Sequence, residues 1–244
     1  MINFIGGTDT GKVRLQNQDA FVFHKVSDHT GYAVVCDGMG GEKAGDVASS
    51  TACGLIEHFF RRDIRDGMTE MSIKAVIFSA ISAANAKVYS MAQENPDYQG
   101  MGTTLVLAVV IENQMHIVNI GDSRIYMAEK KAVKQLTRDH TLVQELMDRG
   151  ELSEEEALNH PQKHYITRAI GVSDTVDIDY QMYELNEESV VLLCTDGLSN
   201  YLKISQLPGL LQKCIKEDDI HTLIDYANDQ GGSDNITAVI AVQK

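Results

Sequence analysis

Five aspartates stand where an extended apolar run meets a Gly-rich or polar turn. Asp19 follows Arg14-Leu15-Gln16-Asn17-Gln18 and precedes the run Ala20–His24. Asp37 ends Ala33-Val34-Val35-Cys36 and is followed by Gly38-Met39-Gly40-Gly41. Asp122 follows His116–Ile120 and Gly121, with Ser123-Arg124 after it. Asp196 ends Val191-Leu192-Leu193-Cys194-Thr195 and precedes Gly197, and Asp234 lies in Gly231-Gly232-Ser233-Asp234-Asn235 ahead of the last apolar run. Taken singly, an Asp-Gly after a strand is a turn signal, because Gly supplies a positive φ and Asp bonds its own backbone. As a group they read differently. Carboxylates at the ends of central strands converge at one sheet edge and repel there unless cations intervene.

An all-oxygen donor set suits Mg²⁺ or Mn²⁺ and does not suit structural Zn²⁺. The eight histidines form no H-x-x-x-H pair and read as packing or surface residues. Two divalent ions would nearly neutralise four carboxylates and make a water nucleophilic enough to attack phosphorus. The planar fork of Arg14, five residues before Asp19, matches the non-bridging oxygens of a phosphate.

The elements that must position these residues follow from periodicity. Strands are expected at Ile2–Ile5, Ala20–His24, Tyr32–Cys36, Thr104–Ile111, His116–Ile120, Ile125–Met127, Val133–Leu136, Val176–Tyr183, Val190–Cys194 and Ile236–Val242. Between the third and fourth of these, two amphipathic helices are expected, one along Ala44 to Phe59 and one along Ile73 to Met91 with Ser72 as N-cap. Two more are expected at Ile204–Lys216 and Asp219–Asp229. The stretch from about Arg138 to Asp174 is polar and reads as a mostly helical excursion, with a capping box at Ser153-Glu154-Glu155-Glu156. Strands in runs with helices grouped between them predict an α+β layered fold. With 244 residues, no repeat and no linker-like stretch, one domain over 1–244 is expected.

Composition narrows the function. Lys plus Arg total 21 against 35 Asp plus Glu, and a net charge of -14 opposes phosphate backbones, so nucleic acid is not expected as a partner. No apolar run approaches a membrane span and the first residues do not read as a signal peptide, so no membrane association is expected. Cys36, Cys53, Cys194 and Cys214 show no C-x-x-C pairing and read as reduced, buried thiols of a cytoplasmic protein.

Several stretches together resemble the metal-dependent Ser/Thr protein phosphatases of the PP2C (PPM) type, in their bacterial single-domain branch. They are Arg14-x-x-Asn17-Gln18-Asp19, Val35-Cys36-Asp37-Gly38-Met39-Gly40-Gly41, Gly102-Thr103-Thr104, Gly121-Asp122-Ser123-Arg124, Thr137-Arg138-Asp139-His140, Thr167-Arg168-Ala169-Ile170-Gly171, Thr195-Asp196-Gly197-Leu198 and Gly232-Ser233-Asp234-Asn235-Ile236-Thr237. They occur in the family's order and span essentially the whole chain. The resemblance implies a four-layer α-β-β-α sandwich with a two-metal site holding Mn²⁺ or Mg²⁺ at one end. It implies that Asp37 bridges the metals, that Gly38 offers its carbonyl, and that Asp19 acts on the second metal mainly through water. Asp196 and Asp234 would complete the first metal's shell, and Asp122 would share a weaker third site with Asp196. Arg14 would bind the substrate phosphate, and 138–174 would be the flap beside the active site. The implied activity is hydrolysis of phosphoserine and phosphothreonine in proteins by a monomer, opposing a bacterial Hanks-type kinase.

Two positions depart from the family's pattern: Met39 stands where animal relatives carry a histidine proposed as general acid, and Glu42 where many bacterial relatives carry a histidine. Rival readings are a P-loop nucleotide hydrolase and a catalytically inactive binding module of the same fold. The first fails in sequence, because Gly6-x-x-x-x-Gly11-Lys12 is followed by Val13 where the Mg²⁺-binding hydroxyl belongs. Gly38-Met39-Gly40 lacks the third glycine of a dinucleotide fingerprint, and no cysteine is followed six residues later by Arg, as a cysteine phosphatase requires. Intact Arg14, Asp19, Asp37, Asp196 and Asp234 oppose the second rival. With no histidine at either position, the proton for the leaving oxygen is left to a metal-bound water, or to Glu42 if its surroundings raise its pKa. Glu42→Gln is expected to retain most turnover; a loss on the order of several hundred-fold with metal binding unchanged overturns that expectation.

Overall fold

Alternation along the central strands dictates the layers. In Tyr32–Cys36 the side chains of Tyr32, Val34 and Cys36 enter one core, while those of Ala33 and Val35 enter another. Such a strand is buried on both faces and reads as a continuous apolar run even in an antiparallel sheet. The computed structural model describes residues 1–41, 44–130 and 132–243, so Glu42 lies outside the described residues.

The chain opens with β1 (Ile2–Asp9), β2 (Asp19–Lys25) and β3 (Thr30–Met39), then α1 (Gly45–Asp63) and α2 (Glu70–Glu94). It continues through β4 (Gly102–Thr103), β5 (Leu105–Ile111), β6 (Gln114–Ile120), β7 (Arg124–Glu129) and β8 (Ala132–Gln135). Then come α3 (Leu142–Asp148), α4 (Glu154–Leu158), β9 (Asp179–Glu184), β10 (Ser189–Cys194), α5 (Asp196–Ser199), α6 (Leu207–Glu217), α7 (His221–Asp229) and β11 (Ile236–Gln243). One antiparallel sheet has the order β1-β11-β10-β7-β8 and the other β2-β3-β5-β6-β9, with β4 paired to the end of β3. Helices α1 and α2 cover the second sheet, α5, α6 and α7 cover the first, and a core that includes Val35, Val106, Ile117, Leu193 and Val239 fills the space between sheets. This is the expected four-layer α-β-β-α arrangement.

Among the described residues α2 is the one helix long and apolar enough to cross a membrane. Its Ile73, Ile77, Ala80, Ile81, Ala84 and Val88 are instead buried in the core that α2 shares with α1. The N-cap of α2 is Thr69, not Ser72; Thr69 Oγ1 accepts from the Ser72 amide. The excursion is only partly helical: α3 and α4 are short, and side-chain networks described below hold the rest. The capping box forms as expected between Ser153 and Glu156. Strand β9 begins at Asp179 rather than Val176, and just upstream the carbonyls of Ser173 and Asp174 accept from the Asn85 amide of α2 rather than from a neighbouring strand. The P-loop rival finds no support, since Gly6 and Gly7 lie inside β1 and the next element after Lys12 is β2.

The turn chemistry expected of Asp-Gly assigns Gly38 and Gly197 a positive φ, and neither has one. Both are demanded by close approach. A Cβ on Gly38 would lie 2.0 Å from the Gly45 carbonyl oxygen and 2.5 Å from that of Gln18. A Cβ on Gly197 would lie 1.9 Å from the Asn235 carbonyl oxygen. Both obstacles are backbone and cannot rotate away. Gly38→Ala is therefore expected to cost at least about 3 kcal/mol in urea unfolding; a loss under about 1 kcal/mol overturns the close-approach account.

Candidate active site

The register of β2 against β3 places Asp19 directly opposite Asp37. Both continue the face whose earlier members, Val35 on β3 and Phe21 on β2, pack between the sheets. Thr195, at the end of β10, and Thr237, in β11, come from the facing sheet, and their hydroxyls donate to Asp19 Oδ2 at 2.9 and 2.6 Å. Asp19 Oδ1 is sealed from solvent and has no hydrogen-bond partner. Asp37 is fixed through its backbone: its amide donates to Thr104 Oγ1 at 3.0 Å, and its carbonyl accepts from the Thr104 amide at 2.9 Å and Thr103 Oγ1 at 2.9 Å.

The same end of the sandwich opens into a cavity of about 870 Å³ whose lining includes Asp37, Gly38, Asp122, Asp196, Asp234 and Arg14. Asp19 stands behind this wall and is joined to it through Asp37. The structure thus gathers all seven residues singled out in the sequence. Asp196 opens α5, with its Oδ2 accepting from the Asn200 amide at 3.1 Å. Arg14 donates to Asp234 Oδ2 at 2.7 Å, so its guanidinium here engages a carboxylate. Asn235 ties the two loops together: its side chain accepts from the Gln18 amide and donates to the carbonyls of Thr10 and Gln16.

Asp122 is held from the excursion. His140 exchanges two bonds with Gly121, its amide donating to the Gly121 carbonyl at 2.9 Å and its Nδ1 accepting from the Gly121 amide at 3.1 Å. That leaves Nε2–H to donate to Asp179 at 3.1 Å, and Arg168 donates to the same carboxylate at 2.8 Å. Burial holds His140 below its usual range, and the bond to Asp179 opposes that.

The electrostatics are those of crowded like charges. Burial pushes the Asp19 carboxyl up to about 7, against the pull of the Thr237 and Thr195 hydroxyls and with help from Asp196 and Asp234. Burial raises Asp37 well above the usual carboxylate range, and Asp19, Asp196, Asp122 and Asp234 add to it. Burial, then Asp196 and Asp139, bring Asp122 to about 7, and burial with Asp234 raises Asp196. Arg14 is the only Lys or Arg among the described residues lining the cavity.

These features fit divalent cations. A partnerless buried carboxylate oxygen and two carboxylates paired across strands both call for positive charge. Among the described residues no three Asp, Glu, His or Cys side chains converge tightly enough to hold an ion alone. Carboxylates spread around a cavity suit an ion that keeps several waters, as Mg²⁺ does. Sequence reasoning missed Thr195 and Thr237 as the groups that orient Asp19; strand parity was the available signal.

The chain belongs to the protein phosphatase 2C family, whose model matches residues 7–222. It is 36% identical over 234 residues to a serine/threonine phosphatase stp of Listeria monocytogenes, covering 96% of this chain and 92% of that one. The fold matches a serine/threonine phosphatase of S. agalactiae with a TM-score of 0.91 and 32% identity, over 100% of both chains. It also matches the catalytic domain of the phosphatase PstP in complex with two manganese ions, with a TM-score of 0.82, 31% identity and coverage of 99% and 97%.

The raised carboxyls make a signed prediction for the metal-free protein. Between the ordinary 3.8 and about 7 the folded state holds protons at Asp19 that the unfolded chain has released. Stability is then greatest at the acidic side of this window and falls as pH rises through it. Metal-free protein is expected to melt at least about 5 °C higher at pH 5 than at pH 8, with the gap closing in saturating Mg²⁺. A metal-free melting temperature that is flat or rises over that range overturns this.

Proposed function

We propose that this chain is a metal-dependent protein serine/threonine phosphatase that hydrolyses phosphoserine and phosphothreonine. The observation that carries the reading is the paired Asp19 and Asp37 at the end of the inter-sheet core, with Asp122, Asp196, Asp234 and Arg14 set around one open cavity. Asp37 with the Gly38 carbonyl, Asp196 and Asp234 would hold two divalent ions, Mn²⁺ or Mg²⁺, with Asp19 acting through water from its unpartnered Oδ1. Asp122, with Asp196, would hold a weaker third. Bound there, such ions supply a water that is nucleophilic at neutral pH and neutralise the charge gathering on phosphorus.

The chain's own groups do the rest. Arg14 is half exposed at the rim and leaves Asp234 for the phosphate, whose non-bridging oxygens match its fork. The rigid pairing of Asp37 with Thr103 and Thr104 fixes the cavity floor, so catalysis comes from positioning and charge neutralisation. Attack is in line and direct; none of the four cysteines lines the cavity to form a phosphoenzyme. The excursion 138–174 serves as the flap beside the cavity, contributing His164 and Ile166 to its wall. The substrates are phosphorylated proteins, and the partner enzyme is a Hanks-type Ser/Thr kinase. Buried, unpaired thiols support a reducing cytoplasmic setting, and the acidic surface supports a monomer that avoids nucleic acids and anionic membranes.

A metal titration of phosphopeptide hydrolysis tests the reading. Asp37→Asn is expected to lose more than about 100-fold in kcat, and Asp234→Asn to need roughly 10–100-fold more metal for half-maximal activity. Turnover that survives exhaustive chelation overturns it.

A further inference from the structure

Hydrolysis of a phosphoserine expels an alkoxide about as basic as hydroxide, so the leaving oxygen needs a proton as its bond to phosphorus breaks. The cavity lining shows which side chain can give one. Arg14 cannot release a proton in a protein, and Met39 has none. The amide of Asn200 and the hydroxyl of Ser233 hold theirs far too tightly at neutral pH. The four lining aspartates are ionised once they hold cations. The remaining side chain among the described residues lining the cavity that can both give and take a proton is the imidazole of His164.

His164 is also placed for the task. It shares the wall of the cavity with Asp37, Asp122 and Asp196. The segment that carries it is pinned immediately downstream, where the Tyr165 carbonyl accepts from the Leu142 amide at 2.9 Å and Ile166 bridges Thr141. The Thr167 amide then donates to the His140 carbonyl at 2.8 Å, and His140 is the residue clamped to Gly121 beside Asp122. The frame that sets Asp122 therefore also sets the backbone of His164. No hydrogen bond to another side chain occupies the His164 ring among the described residues, which leaves its N–H available to a ligand in the cavity.

We propose that His164, on the cavity wall contributed by the 138–174 excursion, is the general acid of the reaction and protonates the leaving serine or threonine oxygen. The proposal rests on the phosphatase reading. In the step, a water oxygen bonds to phosphorus while the ester P–O bond breaks, and the electron pair of that bond takes the proton from the imidazolium. The attacking water gives up its proton to solvent, and solvent returns one to the imidazole. Products are the free hydroxyl side chain and inorganic phosphate.

The test is leaving-group dependence, because a p-nitrophenolate departs without a proton and a serine alkoxide does not. Wild type and His164→Gln, both saturated with Mn²⁺, are compared on phosphoserine peptide, phenyl phosphate and p-nitrophenyl phosphate. The expected loss in kcat is on the order of 100-fold on the phosphopeptide and under about threefold on p-nitrophenyl phosphate, with phenyl phosphate between them. Free imidazole is expected to restore phosphopeptide turnover in His164→Gly and to do little for the p-nitrophenyl ester. Equal losses on all three substrates, or no loss on the phosphopeptide, overturn the proposal. His164 is solvent-exposed, so both variants are expected to keep the wild-type melting temperature; if one of them does not, the other decides the question. A folded wild type that hydrolyses none of the three substrates overturns the phosphatase reading, and this proposal with it.

Discussion

Like charges forced together out of water are the condition on which this molecule is organised. Asp19 and Asp37 face each other across adjacent strands, and Asp122, Asp196 and Asp234 close in from three other segments. Such a group is unstable as a set of anions, and protonation or cations must relieve it. The same crowding, set around one open cavity, is the arrangement that divalent cations would relieve. Arg14 on Asp234 is the partial relief the chain provides by itself.

The frame has to be stiff enough to hold groups that push each other apart. Three stacked cores do this from behind, since each strand that ends in a site residue is buried on both faces upstream of it. At the site itself the stiffness comes from backbone contact. Gly38 and Gly197 let two chain segments touch where no Cβ fits, and Asn235 uses its whole amide to join the Thr10–Gln18 stretch to the last loop. Polar groups are used sparingly and are placed by the period of two along the strands: Thr195 and Thr237 arrive beneath Asp19 because Leu193 and Val239 fill the core before them.

Much of this is legible in the sequence. Apolar runs that stop at an aspartate mark the strands and their chemically active ends, and i+3 and i+4 spacing marks α1 and α2. Three things are not legible. Dipeptide preferences place Gly38 and Gly197 in turns, because they carry no information on how near another segment passes. The excursion 138–174 reads as mostly helical, since the network of His140, Asp179 and Arg168 that holds it has no periodicity to detect. His164 is one histidine among eight in the sequence, because only the return of the chain from Leu142 through Ile166 brings it to the cavity. Asp37 needs one strand to be recognised; His164 needs the folded path.

The pairing of β1 with β11 joins residues from the two ends of the sequence, and the site lies astride that seam, with Arg14 on one side and Asp234 on the other. A chain still being made on the ribosome holds Arg14, Asp19 and Asp37 long before Asp234 and Asn235 emerge. Until then the loop that carries Arg14 lacks its anchor, and the cavity lacks a wall. The loop carrying Arg14 and the loop carrying Asp234 are therefore brought together only when β11 slots between β1 and β10.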